Sequence, residues 1–478
     1  MVSNVNVTCV VKSDTEHIRA PRSSNGVFAP LNGFFGSITN YFSNEFEERR
    51  KKIKSAFHAF LEVLGKSKEH KTKTMVTKKA PVEYMKIVAN STWPDKPDNI
   101  TFDTQPEFSA EHLIIAHGFK SESHTVLTGD GYMITMHRIM RDLDKRYDRA
   151  VILYHGILGS SEDWLLLGEK RALPYLLSDG GYDVWLLNAR GNKYSKIHTG
   201  TSSERLEFWD FSWHEMGIYD LPAAFKYISE ITNKAELNFI GHSIGATALL
   251  VLLSTAPEYN KVLRSGILLA PLAFMYHAKG PIRLLANFYS TNGHSSLNFL
   301  GQTEFMNSGP FPEQIVKRYC KGDTKSCENP MLLLVNGGSH LFEPKLMEDV
   351  LAHTPGGTSA KTVIHYVQLV KSGYFQMFDY GAANNLRKYK NGTPEIYNLK
   401  KVTLPVALFS SPSDWLAAVS DIQTILHLLP NVNVHHVVKA DNFGHYDFVW
   451  SPDATDLVFN FIPPLIDKLT KKNESYYV

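Results

Sequence analysis

Long apolar runs are missing from this 478-residue chain. None approaches the roughly 18 residues that a membrane-spanning helix requires, so no transmembrane helix is expected. Cysteine is scarce. The three residues Cys9, Cys320 and Cys327 are too few for a disulfide scaffold. Cys320 and Cys327 lie close together in a polar stretch, where they either close a small loop or stay free thiols. Charge of one sign is also missing: the net charge of +2 argues against nucleic acid as a partner. The first residues lack a basic segment, and their apolar stretch is broken by Asn and Thr, so no secretory leader is expected there. Asn-x-Ser/Thr sequons at Asn6, Asn90, Asn99, Asn391 and Asn473 permit a secretory route without requiring one. What remains, 43% hydrophobic and 21% charged residues, is the composition of a soluble globule with a large core and more than one domain.

Residues 1–104 differ from the rest and read as an N-terminal extension. Between 42 and 64 apolar residues recur at helical spacing, with Arg49, Arg50, Lys51, Lys52 and Lys54 between them. Such a basic amphipathic helix either contacts an anionic lipid surface peripherally or packs on the main domain with its basic face in water. From His112 onward, short apolar runs alternate with helix-like segments, at Val151, Val184, Leu237, Ser265, Val402–Ser410 and Val432 among others. That rhythm predicts a mostly parallel sheet with helices on both faces. It is interrupted from 275 to 400. Residues 105–274 and 401–478 therefore read as one α/β core, and 275–400 as an inserted cap.

The most informative stretch is LNFIGHSIGATALL at 237–250. A buried strand runs into a buried helix, with Gly-His-Ser-Ile-Gly between them. A sharp strand-to-helix turn lifts its central residue, Ser243, to the helix N-terminus, where developing negative charge is favoured. The alternative is an ordinary turn with a helix-capping serine. A serine nucleophile needs a base and donors for an oxyanion. His155-Gly156 follows a strand and is either a plain turn or the place where the Ile157 N–H, with that of Ile244, meets a carbonyl oxygen. Asp414 lies after another strand, as a helix cap or as the acid that orients a histidine; Asp421 and Asp441 are its rivals. His445 lies after the last strand. The order Ser243, Asp414, His445 is the one used by hydrolases with this elbow.

With these residues in view, the chain from about 109 to 465 resembles the acid lipase family, which includes gastric and lysosomal lipases. The elbow is one match. Others are the opening segment 118–139, NARGN at 188–192, FWDFSWHEMG at 208–217, HTPGGTS at 353–359 and VKSGYFQMFDYG at 370–381. The resemblance implies an α/β-hydrolase with an inserted cap and lid, acting on neutral lipid esters at a lipid–water interface without metal or cofactor. It implies Ser243 as nucleophile, Asp414 as acid, His445 as base, a cap disulfide between Cys320 and Cys327, and a secreted or lysosomal location. This chain carries Ile244 where relatives usually have Gln. The donor there is a backbone N–H, so activity is expected to survive the change. A non-catalytic lipid carrier on the same fold, and a hydrolase of small esters or thioesters, are the competing readings.

Overall fold

The computed structural model describes residues 109–141, 149–233, 237–292, 302–306 and 344–474. The 42–64 helix with its basic cluster, all three cysteines, and the sequons at Asn6, Asn90 and Asn99 lie outside the described residues. No described helix is long and apolar enough to cross a membrane.

The described strands are β1 (Lys120–Leu127), β2 (Tyr132–Met140), β3 (Arg149–Tyr154), β4 (Tyr182–Leu187), β5 (Ile197–His198), β6 (Leu237–His242), β7 (Leu263–Leu269), β8 (Glu304–Phe305), β9 (Thr358–Ser359), β10 (Val406–Ser410) and β11 (Val432–Val437). The main sheet runs β1-β2-β4-β3-β6-β7-β10-β11, with β5 beside β2. It is antiparallel through β1, β2 and β4 and parallel from β4 to β11. The fold is the mostly parallel α/β arrangement expected from the sequence. The strands next to the elbow, VILY in β3 and LNFIGH in β6, are buried throughout, as unbroken apolar runs should be when helices cover both faces of a sheet. At one edge, β1 (KSESHTVL) has no buried residue, and its polar side chains discourage pairing with another chain.

One boundary differs from expectation. The apolar run from Val402 reads as strand to Ser410, yet the strand begins at Val406. Pro405 has no N–H to give to a ladder. The preceding Thr403 and Leu404 amides donate instead to the Asn260 side chain, at 2.8 and 3.0 Å.

After β6 comes the helix Ile244–Thr255, in which every residue but Thr255 is buried. Each of its larger aliphatic side chains contributes about 1.5–3 kcal/mol of burial free energy, which anchors the elbow from below. A π-helical turn at Met216–Asp220 packs against it. It comes so close at Gly217 that a Cβ there would lie 2.7 Å from the Ala248 carbonyl oxygen. Among the described residues, 275–400 contributes no strand to the main sheet. It holds the helices Pro281–Asn292, Pro344–His353, Ala360–Ser372 and Ala382–Tyr389 and the small β8–β9 pair. Its segment 353–359 returns to the core: the Gly356 N–H donates to the Leu158 carbonyl (2.5 Å), and the Gly356 carbonyl accepts from the Lys193 N–H (2.8 Å).

Candidate active site

The turn between β6 and the following helix holds Ser243 at φ 54° and ψ −114°, a conformation that costs a non-glycine residue about 1–3 kcal/mol. Close packing enforces it. A Cβ on Gly241 would fall 2.6 Å from the Ala246 nitrogen, and one on Gly245 would fall 2.4 Å from the Tyr154 carbonyl oxygen. Backbone bonds fix both sides of Ser243. Its N–H donates to the Leu269 carbonyl and its own carbonyl accepts from the Thr247 N–H, each at 3.0 Å. The hydroxyl caps nothing in the helix, which removes the capping alternative.

Ser243 Oγ instead lies 2.8 Å from His445 Nε2, and His445 Nδ1 lies 2.8 Å from Asp414 Oδ2. All three residues are buried. Asp414 satisfies both readings of its sequence context. While Oδ2 faces the imidazole, Oδ1 accepts the N–H groups of Leu416 (2.8 Å) and Ala417 (2.9 Å) and so caps its own turn. With a carboxylate on Nδ1, that nitrogen carries the proton and Nε2 is the free base. An imidazole so held can take a proton from the serine hydroxyl. The rival aspartates lie elsewhere: Asp421 pairs with His277 through both oxygens, and Asp441 is exposed.

His242, next to the serine, is the nearest other titratable group. Its Nε2–H donates to the His445 carbonyl at 2.9 Å, tying the histidine loop to the elbow. Burial keeps its imidazole neutral, with a pKa well below the ordinary value. The neutral ring of His242 therefore does not oppose positive charge on His445.

Opposite the serine lies the turn Gly156–Gly159. A Cβ on Gly156 would lie 3.5 Å from Ser243 Cβ and 2.7 Å from His242 Nδ1, so only glycine lets the turn come this close. Every carbonyl of the turn is held. Gly156 O accepts from His155 Nδ1 (2.7 Å) and from the Gly159 N–H (3.1 Å). Ile157 O accepts from the Tyr446 hydroxyl at 2.5 Å. Leu158 O accepts from Gly356, and Gly159 O from Asn192 Nδ2 at 3.4 Å. The Ile157 N–H has no acceptor among the described residues. The Ile244 N–H is the first of its helix and lacks an intrahelical partner. Two donors are thus left over beside the serine.

A planar peptide couples the Gly156 carbonyl to the Ile157 N–H, which points the opposite way. Holding the carbonyl therefore aims the amide. His155 does the holding. Its Nε2 accepts the Ala189 N–H at 3.1 Å, which leaves the proton on Nδ1 for Gly156, and burial depresses its pKa to about 4. His155→Ala is expected to lower kcat on a soluble ester by about ten- to hundred-fold with KM little changed. That is less than the roughly hundred- to thousand-fold loss of an oxyanion donor itself. Steady-state kinetics, with melting temperature followed in parallel, checks it; an unchanged kcat separates the ring from the turn.

Two buried clusters that support this turn were not singled out from the sequence. Arg190, in NARGN, is fully buried between Asp220 and Asp130. It gives Asp220 Oδ1 bonds from Nε (2.8 Å) and Nη2 (2.6 Å), and Asp130 bonds from Nη1 (2.5 Å) and Nη2 (2.9 Å). Burial lifts Asp220 to about 6, while Arg190 holds Asp130 below the usual range. The charged fork clamps the 188–192 loop, which supplies Ala189 and Asn192 to the His155 turn. Glu162, also buried, accepts from Lys193 Nζ and the Tyr194 hydroxyl, and its Oε2 lies 2.9 Å from His353 Nδ1. It joins the core loop to the 353–359 segment. The matched motifs around Arg190 and His353 were the available signal. No spacing rule connects their partners.

A family model described as the alpha/beta hydrolase fold matches residues 149–452, and one described as a partial alpha/beta-hydrolase lipase region matches 110–168. Lipase 1 of Drosophila melanogaster is 34% identical over 76% of this chain and 80% of that protein. Gastric triacylglycerol lipase of Bos taurus is 33% identical over 77% of this chain and 93% of its own length. The human lysosomal acid lipase/cholesteryl ester hydrolase is 31% identical over 77% and 92%.

Proposed function

Because this chain belongs to the acid lipase family of α/β-hydrolases, we propose that it hydrolyses carboxylic esters of neutral lipids, triacylglycerols or steryl esters, with Ser243 as nucleophile. The observation that carries this reading is the pair of 2.8 Å contacts linking Ser243 Oγ, His445 and Asp414 at the strained elbow.

In this reading His445 Nε2 takes the hydroxyl proton as Ser243 Oγ attacks the ester carbonyl carbon. The carbonyl oxygen becomes an oxyanion held by the Ile157 and Ile244 N–H groups, and Asp414 balances the imidazolium. The tetrahedral intermediate collapses: the C–O bond to the alcohol breaks, and His445 returns the proton to the leaving oxygen. Water then gives a proton to His445 and attacks the acyl-serine. A second collapse releases the carboxylic acid and restores the Ser243 hydroxyl. The substrate class follows the relatives, whose names specify triacylglycerol and cholesteryl ester. The same reading takes 275–400 as a cap on a core made of 105–274 and 401–478, and assigns the walls for the acyl chain to that cap.

The purified full-length chain, assayed on an emulsified triacylglycerol, an emulsified steryl ester and a short-chain nitrophenyl ester, tests this reading. Hydrolysis of at least one emulsified lipid is expected. Turnover of the short ester alone makes the chain a small-ester hydrolase. Lipid binding without turnover of any of the three makes it a carrier.

A further inference from the structure

One buried acid next to the Gly156–Gly159 turn has no role in the chemistry above. Asp163 is the third residue of the short helical turn Ser161–Trp164, whose N-cap is Ser160. Its residue is 1% exposed, and neither carboxyl oxygen has a hydrogen-bond partner among the described residues. The carboxyl is pressed against the turn: a Cβ built on Gly159 would lie 2.1 Å from Asp163 Oδ2. The acid thus fills the space that any other residue at 159 would need for its side chain. It supports the turn at Gly159, where, among the described residues, the hydrogen bond that reaches from another element is the long one from Asn192.

The groups around it leave this carboxyl without a counter-charge of its own. On the same short helix, Glu162 is a carboxylate already engaged by Lys193, Tyr194 and His353. From β2, His137 Nδ1 faces Ser161 Oγ at 2.8 Å, and its Nε2 is 3.6 Å from Glu111 on the preceding helix. From the C-terminal turn Asp447–Trp450 and the residue before it, Tyr446 donates to Ile157 O, and Asp447 accepts the Gly444 N–H at 2.5 Å. Burying an unpaired carboxylate is so costly that the group takes up a proton instead.

We infer that Asp163 is a positioning residue of the proposed reaction, a neutral carboxylic acid that holds the Gly156–Gly159 turn, and with it the Ile157 amide, against Ser243. The inference rests on the hydrolase reading for its effect on turnover, but not for the state of the acid. Burial, reinforced by the neighbouring Glu162 carboxylate, raises its pKa to about 8, against the weaker downward pulls of Lys193 and the Ser160 backbone. Above that pH the acid ionises next to Glu162, where the weak pulls of the Ser160 backbone N–H and Lys193 do not offset burial. The turn must then shift to let water in, and the donor moves away from the serine.

The sign for stability follows. A carboxyl whose pKa is higher folded than unfolded stabilises the native state most below its unfolded value near 4. That contribution is lost as pH rises to about 8. Asp163→Asn keeps the shape and cannot ionise. Its melting temperature, compared with that of the parent, should therefore rise progressively from pH 4 to pH 8 and hold its lead above. On a soluble short-chain ester, the parent's kcat should fall above pH 8, to about a tenth one unit beyond the pKa, with KM little changed. Asp163→Asn should lack that alkaline limb and match the parent at pH 6. Asp163→Ala, which empties the space under Gly159, should lose kcat at every pH. Parallel melting curves for parent and Asp163→Asn overturn the neutral-acid assignment, whether or not the chain turns over an ester. An alkaline limb shared by both proteins, or an Asp163→Ala variant with parental kcat, overturns the positioning role. A chain with no esterase activity but diverging melting curves refutes the hydrolase reading, and with it the effect on turnover, while keeping the state of the acid.

Discussion

Replacing Ser243 by alanine is expected to lower turnover by on the order of a million-fold and to leave the fold standing. The hydroxyl's single hydrogen bond goes to His445 Nε2; it contributes nothing to capping the helix. The bonds that hold the elbow, Ser243 N–H to Leu269 O and Thr247 N–H to Ser243 O, belong to the backbone and persist in the variant. The steric causes of the turn, at Gly241 and Gly245, are also untouched. Alanine bears the same positive φ as serine, so little strain is added. Turnover of a soluble ester, measured with the melting temperature of both proteins, is the check. Near-normal activity in a well-folded variant removes Ser243 from the chemistry.

The second large effect is expected at Asp414, and its size follows from the other oxygen. Asp414 Oδ1 accepts two backbone N–H groups, from Leu416 and Ala417. An asparagine in its place must turn its carbonyl oxygen toward those donors, because its NH2 group cannot accept from them. The NH2 group then faces His445 Nδ1. That nitrogen becomes the acceptor, the proton moves to Nε2, and the base opposite Ser243 is lost. A loss of roughly ten-thousand-fold in kcat is the expected result. Asp421→Asn should cost little, because Asp421 is spent on His277, whose side chain is 52% exposed. Asp441→Asn, at an exposed residue, should cost little as well. An inverted ranking among the three variants, measured on one substrate, displaces Asp414 from the assignment.

These residues were legible because local chemistry announces them. Ser243 is flanked by two glycines at a strand-to-helix junction, and His445 and Asp414 follow the strands that chain order assigns to them. Asp421 and Asp441 stayed rivals of Asp414 in the sequence; the structure places Asp421 in the helix Val419–Leu428, paired with His277. The supporting residues gave no such notice. Arg190 meets partners 30 and 60 positions away, and Glu162 meets His353 across 191. Nothing in the spacing of a single chain links such pairs. Asp163 was invisible for a different reason. An acidic residue in a short polar turn ordinarily reads as exposed, and only the fold shows that the turn points it inward beneath Gly159.

The return of segment 353–359 to the core has a consequence for how this enzyme can be altered. Gly356 is hydrogen-bonded on both sides, to Leu158 in the turn beside Ser243 and to Lys193. Glu162 secures His353 a few residues before. Chimaeras that exchange the insertion between relatives therefore have an asymmetric seam. The C-terminal junction belongs ahead of His353, so that the recipient keeps its own 353–359 with its own Leu158, Glu162 and Lys193. A graft cut ahead of His353 leaves those contacts intact and transfers only what lies upstream. A graft that carries 353–359 across imports half of a hydrogen-bonded joint, and its damage would register in the rate of ester cleavage even where the acyl-chain preference had been transplanted as intended.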